Sequence, residues 1–387
     1  MRTTRMCRTG LKKIVSKSLT AVFLITVAAL CFQHRVSHAQ SGSAWQKAIH
    51  PHSWNFPRDH GAHREYRTEW WYFTGNLSDT AGARFGYQLT FFRFGIRKSA
   101  STNDNPWHLR DLFMGHVAVT EEADNRFRFA ELISREGPGL AGARSDRMEV
   151  WLLNWSATME NSVISLKAED GPLQLDLVLT PRKSLVFHGN NGLSMKGEDT
   201  GQASFYTSFT DCATEGTIRI ETNGPAIPVR GKSWFDHEFG SNQLALDQEG
   251  WDWFSLHLSD GSDAMLYRLR KKGGLTEPVS SGTFINPDGS SQHLSLNDFS
   301  LVVLDHWESP RSGASYPSKW RILIPSRGVD LLVTPLIANQ ELITEASTGV
   351  VYWEGAVTGD GYSGDRKITA EGYIELAGYA GSLGGLF

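Results

Sequence analysis

The segment VISLKAEDGPLQLDLVLT, residues 163–180, constrains the fold more than any other stretch of this chain. Leu173, Leu175, Leu177 and Leu179 alternate with Gln174 and Asp176, the two-residue period of a strand with one face on a core. Asp170-Gly171-Pro172 supplies the reversal, so the segment predicts a hairpin. GARFGYQLTFFRF (82–94) and WDWFSLHLSDGSDAMLYRLR (251–270) carry the same signal, the second turning at Asp260-Gly261. MEVWLLNW (148–155), VVYWEGAV and ITAEGYIELAGY also read as strands, and no long stretch has a 3.6-residue apolar period. Many short strands joined by Gly-rich turns predict an all-β protein of antiparallel sandwiches or barrels.

An internal repeat predicts two such units. EWWYFTGNLSD (69–79) superposes on GWDWFSLHLSD (250–260), with Trp70 over Trp251, Tyr72 over Trp253 and Phe73 over Phe254. A spacing of this size exceeds any solenoid period and points to a duplicated domain. Pro225-Ala226-Ile227-Pro228 interrupts strand pairing, so the domains are expected at 40–228 and 229–387.

Residues 1–39 stand apart. A basic run ending at Lys17 precedes the apolar stretch Leu19–Phe32 and the small-x-small site Ser37-His38-Ala39. This predicts an export signal cleaved before Gln40, with a periplasmic or secreted destination. Seven of the 38 basic side chains and none of the 42 acidic ones lie in it, leaving 31 against 42, a net −11. Such an acidic chain is not expected to bind nucleic acid. Cys212 is the sole cysteine after residue 39, so no intrachain disulfide is expected. No basic amphipathic helix points to a membrane surface.

The motifs HREYRTEWWYFTGNLSD, FGYQLTFFRFG, GKSWFDHEFGSNQL, GWDWFSLHLSDG and YWEGAVTG…EGYIELAGY occur in order over roughly residues 50–380. Together they resemble the AttH / hydroxyneurosporene synthase family, which includes the carotenoid 1,2-hydratases. The resemblance implies two tandem lipocalin-like β-domains with an apolar cavity at or between them. It also implies that Asp236, in Trp234-Phe235-Asp236, is a catalytic acid, with Trp234 as the accompanying aromatic. Some exported proteins resembling this family carry the label of secreted hydrolases.

The chemistry of SWFDHEFG (233–240) accommodates that role. Alternation places Trp234, Asp236 and Glu238 on one face and Phe235 and His237 on the other, so Asp236 and His237 do not converge on one ion. No metal or other cofactor is expected; HGAH (60–63) offers two histidines that nothing in the sequence brings to this segment. Hydrating a C=C bond starts with protonation, and apolar burial raises a carboxyl pKa so that the proton is kept. Trp251, Trp253, Ser255 and His257 share one face of the partner strand, an aromatic wall with His257 or Ser255 able to orient water. Tyr72, the repeat counterpart of Trp253, and Tyr267 on the returning strand complete the candidate ligand contacts. The structural alternative pairs Asp236 and Glu238 with Lys232 or Arg230 and makes His237 an interior histidine.

Three functions follow. The first is an exported protein that hydrates a hydrophobic isoprenoid or lipid-like molecule with Asp236 as the acid. The second is a non-catalytic carrier of hydrophobic molecules. The third is a hydrolase, for which Ser255 or Cys212 beside a histidine would be needed. GPGLAG (137–142) is not a dinucleotide loop, because Pro138 removes an N–H donor and a strand follows.

Overall fold

The computed structural model describes residues 44–98 and 109–385. The expected export signal, residues 1–39, lies outside these. Among the described residues the regular structure consists of β-strands and four 3-10 turns, and no helix is long and apolar enough to cross a membrane.

The strands form two antiparallel sheets within one compact unit, the first a nearly closed barrel and the second a curled half-barrel. The lipocalin-like expectation holds. At the centre of the first sheet, Thr68–Ser78 lies between Arg84–Gly95 and Ile227–Gly240, with Ala203–Arg219 beyond. At the centre of the second, Gln248–Leu258 lies between Asp263–Lys271 and Arg366–Ala377, with Val350–Ser363 beyond. The repeated segments thus hold matching places: each pairs with the hairpin strand that follows it and with a strand from the end of its domain.

The expected hairpins form at Val163–Asp170/Leu173–Pro181 and at Gln248–Leu258/Asp263–Lys271. Gly171 and Gly261 sit at their reversals with φ of 54° and 90°, a region where a Cβ is unfavourable. Leu173, Leu175, Leu177 and Leu179 are all buried in the first core, as their alternation requires.

The boundary expected at 228/229 is corrected. Residues 229–240 pair on both sides with strands of the first sheet, Trp234 opposite Thr74 and Asp236 opposite Ser208. The prolines mark where the Ile227–Gly240 strand begins, and the chain passes to the second sheet between Gly240 and Gln248.

Because faces alternate, each central strand serves two cores. Trp71, Phe73 and Phe235 point into the first barrel, and Phe254, Leu256 and Leu258 into the second. The outward faces carry Tyr72, Trp234 and Trp253, which meet in a third cluster between the sheets. Gly86 permits the close approach there, since a Cβ on it would lie 2.4 Å from the Ala356 Cβ.

Candidate functional site

Between the two sheets lies a cavity of roughly 870 Å3, counted out through its mouth. The first sheet contributes Trp70, Tyr72, Phe92, Tyr206, Asp236 and Glu238; the second contributes Trp251, Trp253, Tyr267, Tyr352, Glu354 and Glu375. The two repeat units therefore present the same aromatic pair to one space, Trp70 and Tyr72 against Trp251 and Trp253. The Tyr72 and Trp253 rings meet edge-on with centroids 5.1 Å apart.

Asp236 is 3 % exposed, and no ion pair to it occurs among the described residues. The expected alternative partners, Lys232 and Arg230, are not in contact with it. Instead three neutral donors converge: Trp234 Nε1 on Oδ1 at 2.6 Å, Tyr206 Oη on Oδ2 at 2.6 Å, and Ser208 Oγ on Oδ1. Two of them are themselves fed by donors. Trp253 Nε1 donates to Tyr206 Oη at 3.0 Å, and His188 Nε2 lies 2.7 Å from Ser208 Oγ. Burial pushes the Asp236 carboxyl up to about 7, against the three donors, which favour the carboxylate. The nearby Glu238 charge adds to the rise. Asp236 is thus poised between its two protonation states near neutrality.

Glu238 takes the cation that Asp236 lacks. Lys196 Nζ lies 3.0 Å from its Oε1, Ser204 Oγ donates to the same oxygen, and the ammonium stands 4.4 Å over the Tyr267 ring. Burial disfavours the lysine charge, but Glu238 outweighs it and holds the Lys196 pKa above its ordinary value.

Two acids on the opposite wall had no place in the sequence argument. Glu354 and Glu375 are cross-strand partners on Val350–Ser363 and Arg366–Ala377, in one row with Trp253. Burial pushes Glu375 up to about 7 against the Trp251 indole. Burial and then the Glu375 charge push Glu354 well above the carboxylate range, while Tyr72 and Tyr352 oppose the shift. Their signal was a lone Glu inside each of the apolar runs VVYWEGAV and YIELAGY. Tyr206 and Lys196 gave no such signal.

The other expected residues divide. Tyr72, Trp251, Trp253 and Tyr267 line the cavity. Trp234 sits behind Asp236 as a hydrogen-bond donor. Ser255 and His257 do not line the cavity, a correction to their expected role in orienting water. They lie farther along their strand, where His257 Nδ1 is 2.9 Å from Asp263 Oδ1 and its ring packs 5.8 Å from Trp234. His237 points to the opposite side of its strand, with Nε2 3.0 Å from Glu69 Oε1 inside the barrel.

Among the described residues neither Ser255 nor Cys212 hydrogen-bonds a histidine, the pairing expected of a hydrolase. Cys212 is buried in the first core, its Sγ faces the Phe209 backbone carbonyl, and burial raises its thiol pKa. Ser208 does meet a histidine, but its proton is given to Asp236, so His188 is donor to it and not base. Burial, with the Lys196 charge, lowers His188 to about 3, which matches a neutral ring.

The AttH-like family profile matches residues 47–379, nearly all of the described chain. The chain belongs to the AttH-like family. A crystal structure from Nitrosomonas europaea described as an AttH is 34 % identical, with a TM-score of 0.76, covering 86 % of this chain and 99 % of that one. Kievitone hydratase from Nectria haematococca shares the fold at 17 % identity, with a TM-score of 0.62 and 81 % and 90 % of the two chains covered. No curated protein matches the chain significantly. AttH-like membership and the aromatic lining support the binding of a hydrophobic small molecule in the cavity.

Proposed function

We propose that this AttH-like protein hydrates a C=C bond of an isoprenoid or lipid-like molecule, with Asp236 as the general acid. The supporting observation is that Asp236 opens onto an aromatic cavity, buried and with no cation in contact. In the protonated state, the carboxyl hydrogen transfers to one alkene carbon and leaves a tertiary carbocation on the other. The indole and phenol faces of Trp251, Trp253 and Tyr72 surround that charge. Desolvated cation–π contacts contribute about 2 kcal/mol each, so two of them give on the order of a thousandfold in rate. Water then bonds to the cation, and its surplus proton passes to a carboxylate of the Glu354–Glu375 pair. Exchange with solvent through the cavity mouth returns the proton to Asp236. The signal-like residues 1–39 support action after export, in the periplasm or outside the cell.

The test is to identify by mass spectrometry the molecule that co-purifies with the protein, then incubate it with enzyme in 18O-labelled water. Hydration incorporates one labelled oxygen per C=C consumed, and Asp236→Asn slows it by about 10²–10⁴-fold. Recovery of the ligand unchanged by the parent protein would assign the cavity to carriage instead.

A further inference from the structure

A second constellation lies outside the cavity, in the segment that precedes the first strand. His52, Asp59 and His63 each bring one ligand-type atom within 4.8 Å of the others. His52 Nε2 is 3.2 Å from Asp59 Oδ2, and His63 Nε2 is 3.4 Å from Asp59 Oδ1. The two imidazoles thus meet the two different oxygens of one carboxylate, and all three ligand-type atoms fall within the reach of a single small cation.

The support around His63 is more telling than the cluster itself. Its ring is 1 % exposed and stacks on Phe239 with centroids 3.6 Å apart. Nδ1 lies 3.0 Å from Glu69 Oε1, while Arg93 Nε and the His63 backbone N–H hold the same carboxylate at 3.0 Å. A carboxylate on Nδ1 fixes the tautomer that leaves an Nε2 lone pair, the arrangement that orients metal-bound histidines. That Nε2 is buried and makes no hydrogen bond. It faces the Asp59 carboxylate at 3.4 Å, where either a proton or a metal cation can stand between the two groups. His52, with a side chain 17 % exposed, provides the route from solvent.

We infer that His52 Nε2, His63 Nε2 and the Asp59 carboxylate form a site for one divalent transition-metal cation, with Glu69 as positioning residue. Two imidazoles and one carboxylate suit Zn2+, whereas Ca2+ and Mg2+ select all-oxygen sets. Arg58, whose side chain is 45 % exposed, also contacts Asp59 Oδ1 and the Asn55 N–H donates to Oδ2, so the entering ion must displace the arginine. The neighbouring trio His63, Glu69 and His237 is the inner support and not a second site. There Glu69 Oε1 already meets both rings and Oε2 meets Arg93. The inference is independent of the chemistry proposed for Asp236.

The experiment uses the full chain stripped with EDTA and titrated with ZnCl2 by calorimetry, with bound metal counted after gel filtration. One equivalent of zinc is expected, and Co2+ in its place should give visible bands of tetrahedral intensity. His52→Gln, at the rim, and Asp59→Asn should each weaken zinc by more than the ~10–100-fold typical of losing an outer partner. Glu69→Gln should weaken it within that range. His63→Gln and Asp59→Asn, both buried, are informative only if circular dichroism shows a native fold; the rim variant His52→Gln keeps the test decisive without them. Absence of a stoichiometric equivalent overturns the inference. So does a parent-like affinity in His52→Gln.

Discussion

Asp236 and His237 are neighbours in the chain, yet the sheet between them assigns them to different chambers. Asp236 opens onto the aromatic cavity between the sheets, while His237 bonds Glu69 within the first barrel. A single peptide unit of extended backbone separates the cavity carboxyl from an ion-bonded core.

Asp236→Asn should fold, because its amide oxygen accepts from Trp234 and Ser208 while its NH2 donates to the Tyr206 oxygen. Activity on the co-purified ligand should fall by about 10²–10⁴-fold, the range for a lost general acid. Its stability should respond to pH differently. With a folded pKa of about 7 against an ordinary 3.8, the native state holds more protons than the unfolded chain between those values. That stabilisation is fully present below pH ~4 and is lost as pH rises through ~7, an effect on the order of 4 kcal/mol. Urea unfolding from pH 4 to 8 should show this decline in the parent, and a flatter curve in the variant.

Tyr206→Phe should move the alkaline limb of the pH–rate profile upward. Activity that requires protonated Asp236 falls about tenfold per unit above pH ~7. Removing the Tyr206 hydroxyl deletes a hydrogen bond that favours the carboxylate, so the limb should shift to higher pH. An unchanged or lowered limb would contradict the assigned role of that bond.

Arg93→Met should be among the most destabilising substitutions in the first sheet. Arg93 is fully buried and pairs with Glu69 Oε2 and Asp111 Oδ1, each at 3.0 Å. Its loss leaves buried Glu69 to the two imidazoles of His63 and His237 and Asp111 to Arg64, and should cost ~3–5 kcal/mol in chemical denaturation.

Gly86→Ala should push the sheets apart where Gly86 meets Ala356 and cost ~1–3 kcal/mol. The new methyl would collide with Ala356 across the interface, so Ala356→Gly in the same chain should recover part of the loss. The double-mutant cycle measures that coupling; strict additivity would mean that the sheets do not press together there.

The alternating segments determined the all-β class, the hairpins at 163–181 and 248–271, and the opposite facing of Asp236 and His237. Alternation follows from the local geometry of extended backbone, which a sequence displays directly. The motif resemblance reached Asp236, and the repeat marked Trp251 and Trp253. Which outward faces meet was decided only by tertiary structure, because strand order and register depend on partners more than a hundred residues away. That is why the cavity lies between the sheets, and why Ser255 and His257 fall outside its lining. It is also why Tyr206, Lys196, Glu354 and Glu375 join Asp236, and why residues 229–240 complete the first sheet. His52, Asp59 and His63 were visible as letters. Only the folded loop, braced by Glu69 and Arg93, gave their lone pairs a common point.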